Sequence, residues 1–276
     1  REGQEFEDIK VLEIDAAGVA TIRGEVLSSQ VELHEKYGGV VPELASREHM
    51  RNLPVLCEEL FHTTGLSLND IDGIGVTCGP GLKGCLLMGV TFAQGLGLSR
   101  KIPVFPVNHI EGHILSGELH ESGLKPPYLT LVVSGGHTEI LLVEGLGRYP
   151  CLCRTRDDAA GEAFDKSANL LELHYPGGAR LAGWADKGAP SPRFKVPRVA
   201  REMDDFSFSG LKTSVALMVK KNRDELKGDE KLFADMCWAI QDGIVDPLVV
   251  KVSREVNARR LPLVVCGGVS ANAELR

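Results

Sequence analysis

Tyr128-Leu129-Thr130-Leu131-Val132-Val133, Ser134-Gly135-Gly136-His137 and Thr138-Glu139-Ile140-Leu141-Leu142-Val143 follow one another without a break. They read as a buried strand, a tight turn and a returning strand. Outward from there the same grammar recurs. Upstream, Ile71-Asp72-Gly73-Ile74-Gly75-Val76-Thr77 is a strand. It runs into Gly79-Pro80-Gly81-Leu82-Lys83-Gly84, a small-residue helix with Gly84, Gly89, Gly95 and Gly97, and a strand from Val104 to Val107. Downstream, a helix over about Lys231 to Val250 precedes Leu263-Val264-Val265-Cys266, a strand that ends in Gly267-Gly268. Strands and helices alternating twice predict an α/β architecture with two related halves.

Between these anchors the chain is punctuated. Residues 1–10 are polar and without period, a tail by pattern. Val11 to Asp15 and Thr21 to Leu27 alternate around Ala16-Ala17-Gly18, which predicts a hairpin. Val41-Pro42-Glu43 opens a helix that Pro54 should interrupt. Leu119 to Pro127 is polar and Pro-containing, so the expected domains are residues 1–122 and 123–276. Asp157 to Lys166 leads a helix with acids at its N-terminus, where the dipole favours them. Tyr175-Pro176-Gly177-Gly178 breaks the chain, and Phe206 to Thr213 enters another helix.

Composition bounds the function. A chain of 276 residues with 43% hydrophobic content can bury a real core. No apolar run is long enough to span a bilayer and the first residues are charged, so neither a membrane span nor a secretory leader is expected. The 7 Cys show no C-x-x-C pair and read as reduced, buried thiols of the cytoplasm, although Cys151 and Cys153 share a strand face. A net charge of −7 argues against nonspecific coating of nucleic acid. Local basic runs exist at Arg193, Lys195, Arg198 and Arg201 and at Lys220, Lys221 and Arg223; such runs are commonly solvated faces.

Three patterns carry chemistry. Asn108 is placed to cap a helix on which His109 and His113 stand at i and i+4, the spacing that offers two imidazoles to one metal ion. With 8 His in the chain, about 0.2 such pairs arise by chance, so the spacing alone is weak. Gly135-Gly136 would let backbone amides converge on an anion beside the Ser134 hydroxyl, although an ordinary hairpin turn has the same look. Gly267-Gly268 ends a strand where open sheets bind ligands. The two loops, read as one per repeat-like half, favour a nucleotide clamped between lobes. Neither a P-loop nor a G-x-G-x-x-G fingerprint is present. Glu162 and Asp165 are candidate carboxylates, with Glu162 equally able to pair Lys166 at i, i+4. Asp242 and Asp246 read as solvated helix surface.

Several ordered motifs resemble a known family. They are Tyr37-Gly-Gly-Val-Val-Pro-Glu-Leu-Ala-Ser46, His109-Ile-Glu-Gly-His113, Val133-Ser-Gly-Gly-His-Thr138, Asp157-Asp-Ala-Ala-Gly-Glu-Ala-Phe-Asp-Lys166, Tyr175-Pro-Gly-Gly178, Phe206-Ser-Phe-Ser-Gly-Leu-Lys-Thr213 and Cys266-Gly-Gly-Val-Ser-Ala-Asn272. The family is the tRNA threonylcarbamoyladenosine transferases of the bacterial TsaD type, once described as O-sialoglycoprotein endopeptidases. The resemblance implies an actin-like ATPase (sugar kinase/Hsp70) fold of two ribonuclease-H-like lobes. It also implies transfer of threonylcarbamoyl from threonylcarbamoyl-AMP to N6 of the adenosine 3′ of the tRNA anticodon. By the same resemblance, His109 and His113 ligate a divalent metal, iron or alternatively zinc. Val132, Val133, Ser134, Gly135 and Gly136 line the substrate loop, and Asp165, Gly178 and Asn272 contact the adenylate. It further implies a cytoplasmic protein working on tRNA with a TsaB-type paralogue and a TsaE-type ATPase, away from membranes.

Two departures qualify the resemblance. The family's first phosphate loop finds no match in Gln4 to Lys10, and its third metal ligand, an aspartate, would follow Arg276. The chain is therefore read as missing both ends. That keeps open a non-catalytic paralogue acting as a binding subunit. A metallopeptidase fits less well, because Glu111 lies two residues after His109, roughly 200° round the helix, rather than directly after it.

Overall fold

Backbone pairing, rather than side-chain periodicity, organises the first part of the molecule. The computed structural model describes residues 6–14, 20–118, 123–198 and 204–276, and they fall into two compact units, Gln4–Gly112 and His113–Arg276. In the first unit β1 (Phe6–Ile14) pairs antiparallel with β2 (Ala20–Ser29), from Phe6↔Ser29 to Ile14↔Ala20, with a one-residue shift of register between Val11 and Leu12. The hairpin is as expected, but its Ala16-Ala17-Gly18 turn lies outside the described residues. The stretch read as a polar tail is in part β1. Cross-strand partners such as Lys10 and Glu25, 3.2 Å apart, support this extension of the expected strand, which no alternation announces.

Val11 and Val26 of the hairpin bury themselves against Leu56 and Leu60 of α2 (Pro42–Thr64). Gly24 makes that approach possible, since a Cβ there would stand 2.4 Å from Thr64 Cγ2. Contrary to expectation, Pro54 does not interrupt α2. The carbonyl it leaves without a donor belongs to Met50, an exposed residue where water can replace the missing N–H. Ahead of α2, a short helix α1 (Val31–Glu35) carries the buried His34, whose Nδ1 accepts from Val41 N at 3.3 Å. Burial pushes the His34 pKa down, in keeping with a neutral ring that accepts at Nδ1.

β3 (Ile74–Gly79), α3 (Lys83–Arg100) and β4 (Val104–Asn108) form a parallel crossover. Among the glycines of α3, Gly97 is required at the helix end, where a Cβ would meet Val104 Cγ2 at 2.6 Å and Ile102 O at 2.8 Å. Here the strands pair two by two, β1 with β2 and β3 with β4. α4 (His109–Leu115) follows, and the division between units falls inside it, ten residues before the expected boundary at residue 122. The end of α4 is tied to the second unit: buried Tyr128 donates its hydroxyl to Ile114 O at 3.3 Å and Glu118 Oε1 at 2.9 Å.

The second unit is built on one sheet of order β7-β6-β5-β8, from β5 (Tyr128–Val133), β6 (Thr138–Val143), β7 (Cys151–Arg154) and β8 (Leu263–Cys266). β5, β6 and β7 run antiparallel, and β8 lies parallel to β5 with Val132 opposite Cys266. α5 (Ala160–Leu170), α6 (Gly177–Ala185), α7 (Ser209–Gly228) and α8 (Glu230–Arg259) pack with it. Every residue of β5 is buried, as a central strand covered on both sides requires. Leu131, Val133, Phe164, Leu181, Phe206, Met236, Ile240 and Ile244 meet in its core. α8 extends nine residues past the expected Val250. Glu255 pairs Arg259 in its last turn, and Arg260, in a left-handed conformation, donates its N–H to Val256 O at 2.8 Å.

Candidate functional site

Both Gly-Gly loops stand at the carboxyl ends of neighbouring parallel strands, β5 and β8, within the second unit. They do not belong one to each half, so the expectation that each repeat contributes one is corrected. The reason is topological. β8 returns beside β5 and brings Gly267 against the end of that strand.

The two loops use glycine differently. Gly267 has φ +96, and a Cβ there would stand 2.3 Å from Val133 O and 2.6 Å from Val133 C. Gly161, in the first turn of α5, is equally confined: its Cβ would meet Ser134 O at 2.7 Å and Gly135 N at 2.8 Å. Gly135 and Gly136 are exposed, neither has a left-handed φ, and nothing lies within 4 Å of where either Cβ would be.

The turn between β5 and β6 is held from within. Ser134 N donates to His137 O at 2.8 Å, while Ser134 Oγ accepts from Gly136 N at 3.4 Å and His137 N at 3.1 Å. Of the two amides expected to face an anion, that of Gly136 is thus turned onto the Ser134 side chain, together with that of His137, and these contacts leave the Ser134 hydroxyl proton unused. From the other side α5 docks on the turn. Ala160 N donates to Thr138 Oγ1 at 2.8 Å and Gly161 N to Ser134 O at 3.2 Å. Val132 and Val133 are fully buried, so what they can offer a ligand is backbone alone.

Asp165, Gly178 and Asn272 come from three further elements. Asp165 Oδ1 accepts from Gly178 N at 2.9 Å, and the Gly177 amide also bonds this carboxyl, so it caps the start of α6. Burial pushes the Asp165 pKa up, and the two amides only partly offset that. Asn272 donates to buried Gln241 Oε1 at 2.8 Å and accepts from Glu274 N at 3.0 Å and Leu275 N at 3.2 Å. Glu162 is engaged by Lys166 at 2.8 Å, which also bonds Asp158 at 2.8 Å; the surface pair is what forms. Asp242 and Asp246 are not solvated surface: both pair with Arg198, Asp246 at 3.2 Å.

Sequence reasoning missed Asp157. Its carboxylate does not serve α5, whose N-terminus it precedes in sequence. It accepts from Ser207 Oγ at 2.6 Å, Phe208 N at 2.7 Å, Ser209 N at 3.1 Å and Ser209 Oγ at 2.9 Å, and so caps α7. Asp205 strengthens the same junction by accepting from Arg154 N at 3.2 Å and Arg156 Nε at 3.0 Å. Burial pushes the Asp157 carboxyl up, but these donors outweigh it and hold the pKa below the usual carboxylate range. The available signal was the pairing of an Asp-Asp run with a distant Ser-x-Ser, which no local spacing rule reports.

On α4, Asn108 Oδ1 accepts from Ile110 N at 2.9 Å and Glu111 N at 3.2 Å, the cap that the sequence predicts. His109 is exposed and His113 half-buried on this helix. Among the described residues no group of three or more His, Cys, Asp or Glu could hold a metal ion. All seven Cys are free, and burial pushes the Cys153 thiol to about 11 and Cys237 to about 12. Among the described residues no helix is long and apolar enough to cross a membrane.

Comparison with known proteins then bears on the motifs. The family described as TsaD, tRNA N6-adenosine threonylcarbamoyltransferase, matches residues 21–276. Proteins of that description include one from Nitrosomonas eutropha, 47% identical over 271 residues that cover 95% of this chain and 79% of its own. Another, from Bordetella pertussis, is 47% identical over 271 residues, 96% of this chain and 78% of its own. Among solved structures, an activator of 2-hydroxyisocaproyl-CoA dehydratase from Clostridium difficile aligns with 92% of this chain and 75% of its own. The TM-score is 0.49 at 15% identity, too distant to argue from.

Proposed function

The chain belongs to the TsaD family of tRNA N6-adenosine threonylcarbamoyltransferases, and from that premise we propose that the carboxyl edge of β5 and β8 is its donor site. The fold is α/β, of the actin-like type. The reaction is transfer of threonylcarbamoyl from threonylcarbamoyl-AMP to N6 of the adenosine 3′ of the tRNA anticodon. One observation carries the placement. Gly135 and Gly136 are glycine without a backbone angle or a neighbour that requires it, so their missing side chains leave room for something other than this chain.

The donor is a mixed carbamic–phosphoric anhydride. The adenosine amine attacks its carbonyl, a C–N bond forms, the C–O bond to phosphate breaks and AMP leaves with the electron pair. The nitrogen proton passes to solvent or a nearby base, and no covalent enzyme intermediate is needed. In this reading Gly135 and Gly136 let the phosphate approach the backbone closely, and the Ser134 hydroxyl proton can donate to it. Asp165, Gly178 and Asn272 orient the adenylate from α5, α6 and the segment after β8. His109 and His113 would hold a divalent metal, iron in our reading, together with a further ligand. Bound there, the ion would supply Lewis-acid polarisation of carbonyl or phosphate oxygens. A TsaB-type paralogue, a TsaE-type ATPase and a cytoplasmic setting complete the proposal.

Gly135→Ala tests the placement. Threonylcarbamoyl-AMP and tRNA are supplied, and the modified nucleoside is counted by mass spectrometry after digestion. The variant should unfold at the temperature of the parent, because its Cβ meets nothing. Its kcat/KM for the donor should fall about tenfold or more, equivalent to about 1.4 kcal/mol of lost contact. Unchanged donor kinetics would remove this loop from the site.

A further inference from the structure

Two basic runs of the second unit differ in how far acids neutralise them. Between α6 and α7, Arg193 is held by Asn222 and by Glu225 at 2.7 Å, and Arg198 by Asp242 and Asp246. Arg198 and Lys195 line a cavity of about 520 Å3 with Phe194 and Trp238, but its guanidinium is already neutralised. Both arginines of that patch are held by acids, which leaves Lys195 as its one exposed cation outside an ion pair among the described residues.

α7 is different. Lys212, Lys220, Arg223 and Lys227 are all exposed. At 100° per residue they fall within about 80° of the helix circumference and run about 22 Å along it. Among the described residues Lys212, Lys220 and Lys227 enter no ion pair. Arg223 reaches Glu172 at 3.2 Å with both side chains about two-thirds exposed, an arrangement of small energetic consequence. No acid shares the stripe; Asp224 lies about 40° beyond Lys220.

We propose that this stripe of α7 is the track on which the phosphate backbone of the tRNA substrate lies. The inference rests on the transferase reading and adds to it the surface that holds the acceptor. A chain of net charge −7 repels RNA at long range, so productive encounter needs a local row of uncompensated cations. Ammonium groups along one helix face match phosphates along a strand without reading bases. Position argues the same way. Asp157 fixes the first turn of α7 beside the residues that enter α5, and α5 in turn bonds Ser134 through Gly161. RNA on the stripe is therefore led toward the turn at Gly135.

The test is the salt dependence of tRNA binding, read by fluorescence anisotropy on the full chain, for the parent and for Lys212→Gln/Lys220→Gln/Lys227→Gln. Glutamine keeps the helix, so a fold defect is not expected. The variant should bind tRNA about tenfold or more weakly, and its slope of log K against log salt should shrink by about 2 to 3. The triple Arg variant should restore both, and affinity for threonylcarbamoyl-AMP should stay unchanged. A parent that modifies tRNA alongside a Gln variant with the same slope and affinity overturns the inference alone. Lost turnover at unchanged tRNA slope overturns it in favour of an acidic protein partner on α7. A parent that binds tRNA with a steep slope yet never modifies it, with threonylcarbamoyl-AMP and the TsaB-type and TsaE-type partners supplied, removes the transferase reading on which the inference rests.

Discussion

Two glycine pairs stand at one sheet edge and mean opposite things. Gly161 and Gly267 are confined by this chain: a methyl group on either would overlap backbone atoms of Val133, Ser134 or Gly135. Among the described residues nothing stands within 4 Å of where a Cβ on Gly135 or Gly136 would be. The first pair lets three segments close on one another, and the second leaves the closed edge with a bare, accessible surface. Composition cannot distinguish them, since both read as Gly in a motif. The difference lies in what surrounds the absent Cβ, and it separates residues that build the site from residues that leave room in it.

The comparison breaks first if Gly267 proves replaceable. Gly267→Ala combines a left-handed φ with a 2.3 Å approach to Val133 O, a backbone atom that cannot rotate away. The expected loss is about 3–5 kcal/mol. Thermal unfolding should show it as a large fall in Tm, in contrast to Gly135→Ala. A Tm within a degree or two of the parent would mean that the β8 loop is free to shift, and the distinction between the pairs would go.

Asp157 asks whether the edge is held from further out. Its carboxylate gathers four donors from Ser207, Phe208 and Ser209 but remains partly exposed, so water moderates their contribution. Asp157→Ala should cost about 1–2 kcal/mol, the size of a lost helix cap. The sign with pH follows from the depressed folded pKa. The stabilisation is fully present above the unfolded value near 3.8 and is lost as pH falls through the folded one. The difference in Tm between parent and variant should therefore be constant near neutrality and shrink in acid. A gap that persists unchanged at low pH would show that the carboxylate charge is not what holds α7.

How much of this was legible in sequence follows the range of the interactions. Asn108 capping α4, the turn at Ser134 and the Glu162–Lys166 pair are local, and residues within four positions announce them. The division inside α4 and the identity of Asp157's partners were not, because they depend on contacts with Tyr128 and Ser207 from elsewhere in the chain. The first half of β1 escaped notice for a related reason: it is defined by the strand opposite and not by its own pattern, whereas its second half was expected as a hairpin strand. Pro54 misled in the other direction. A rule about backbone donors predicted a break, but the affected carbonyl belongs to an exposed residue that water can serve.

Asp165 stands between the two classes of glycine and gives the smallest and most discriminating effect. It is held by this chain, because Gly178 N and the Gly177 amide bond to it, and it is also assigned to the adenylate. Burial raises its pKa in the fold, so charging it works against folding. Stability linked to its proton is present below the unfolded value and is lost as pH rises through the higher folded one. Asparagine keeps an acceptor for the two amides without the charge. Asp165→Asn should therefore match the parent or exceed it by about 1 kcal/mol or less at neutral pH, with the advantage vanishing toward acid. If the carboxylate also orients the adenylate, the same variant should raise the donor KM several-fold while Tm holds. A variant that loses stability and activity together would reduce Asp165 to a cap. One that loses activity alone places it with Gly135 and Gly136, among the residues whose character is set by the ligand.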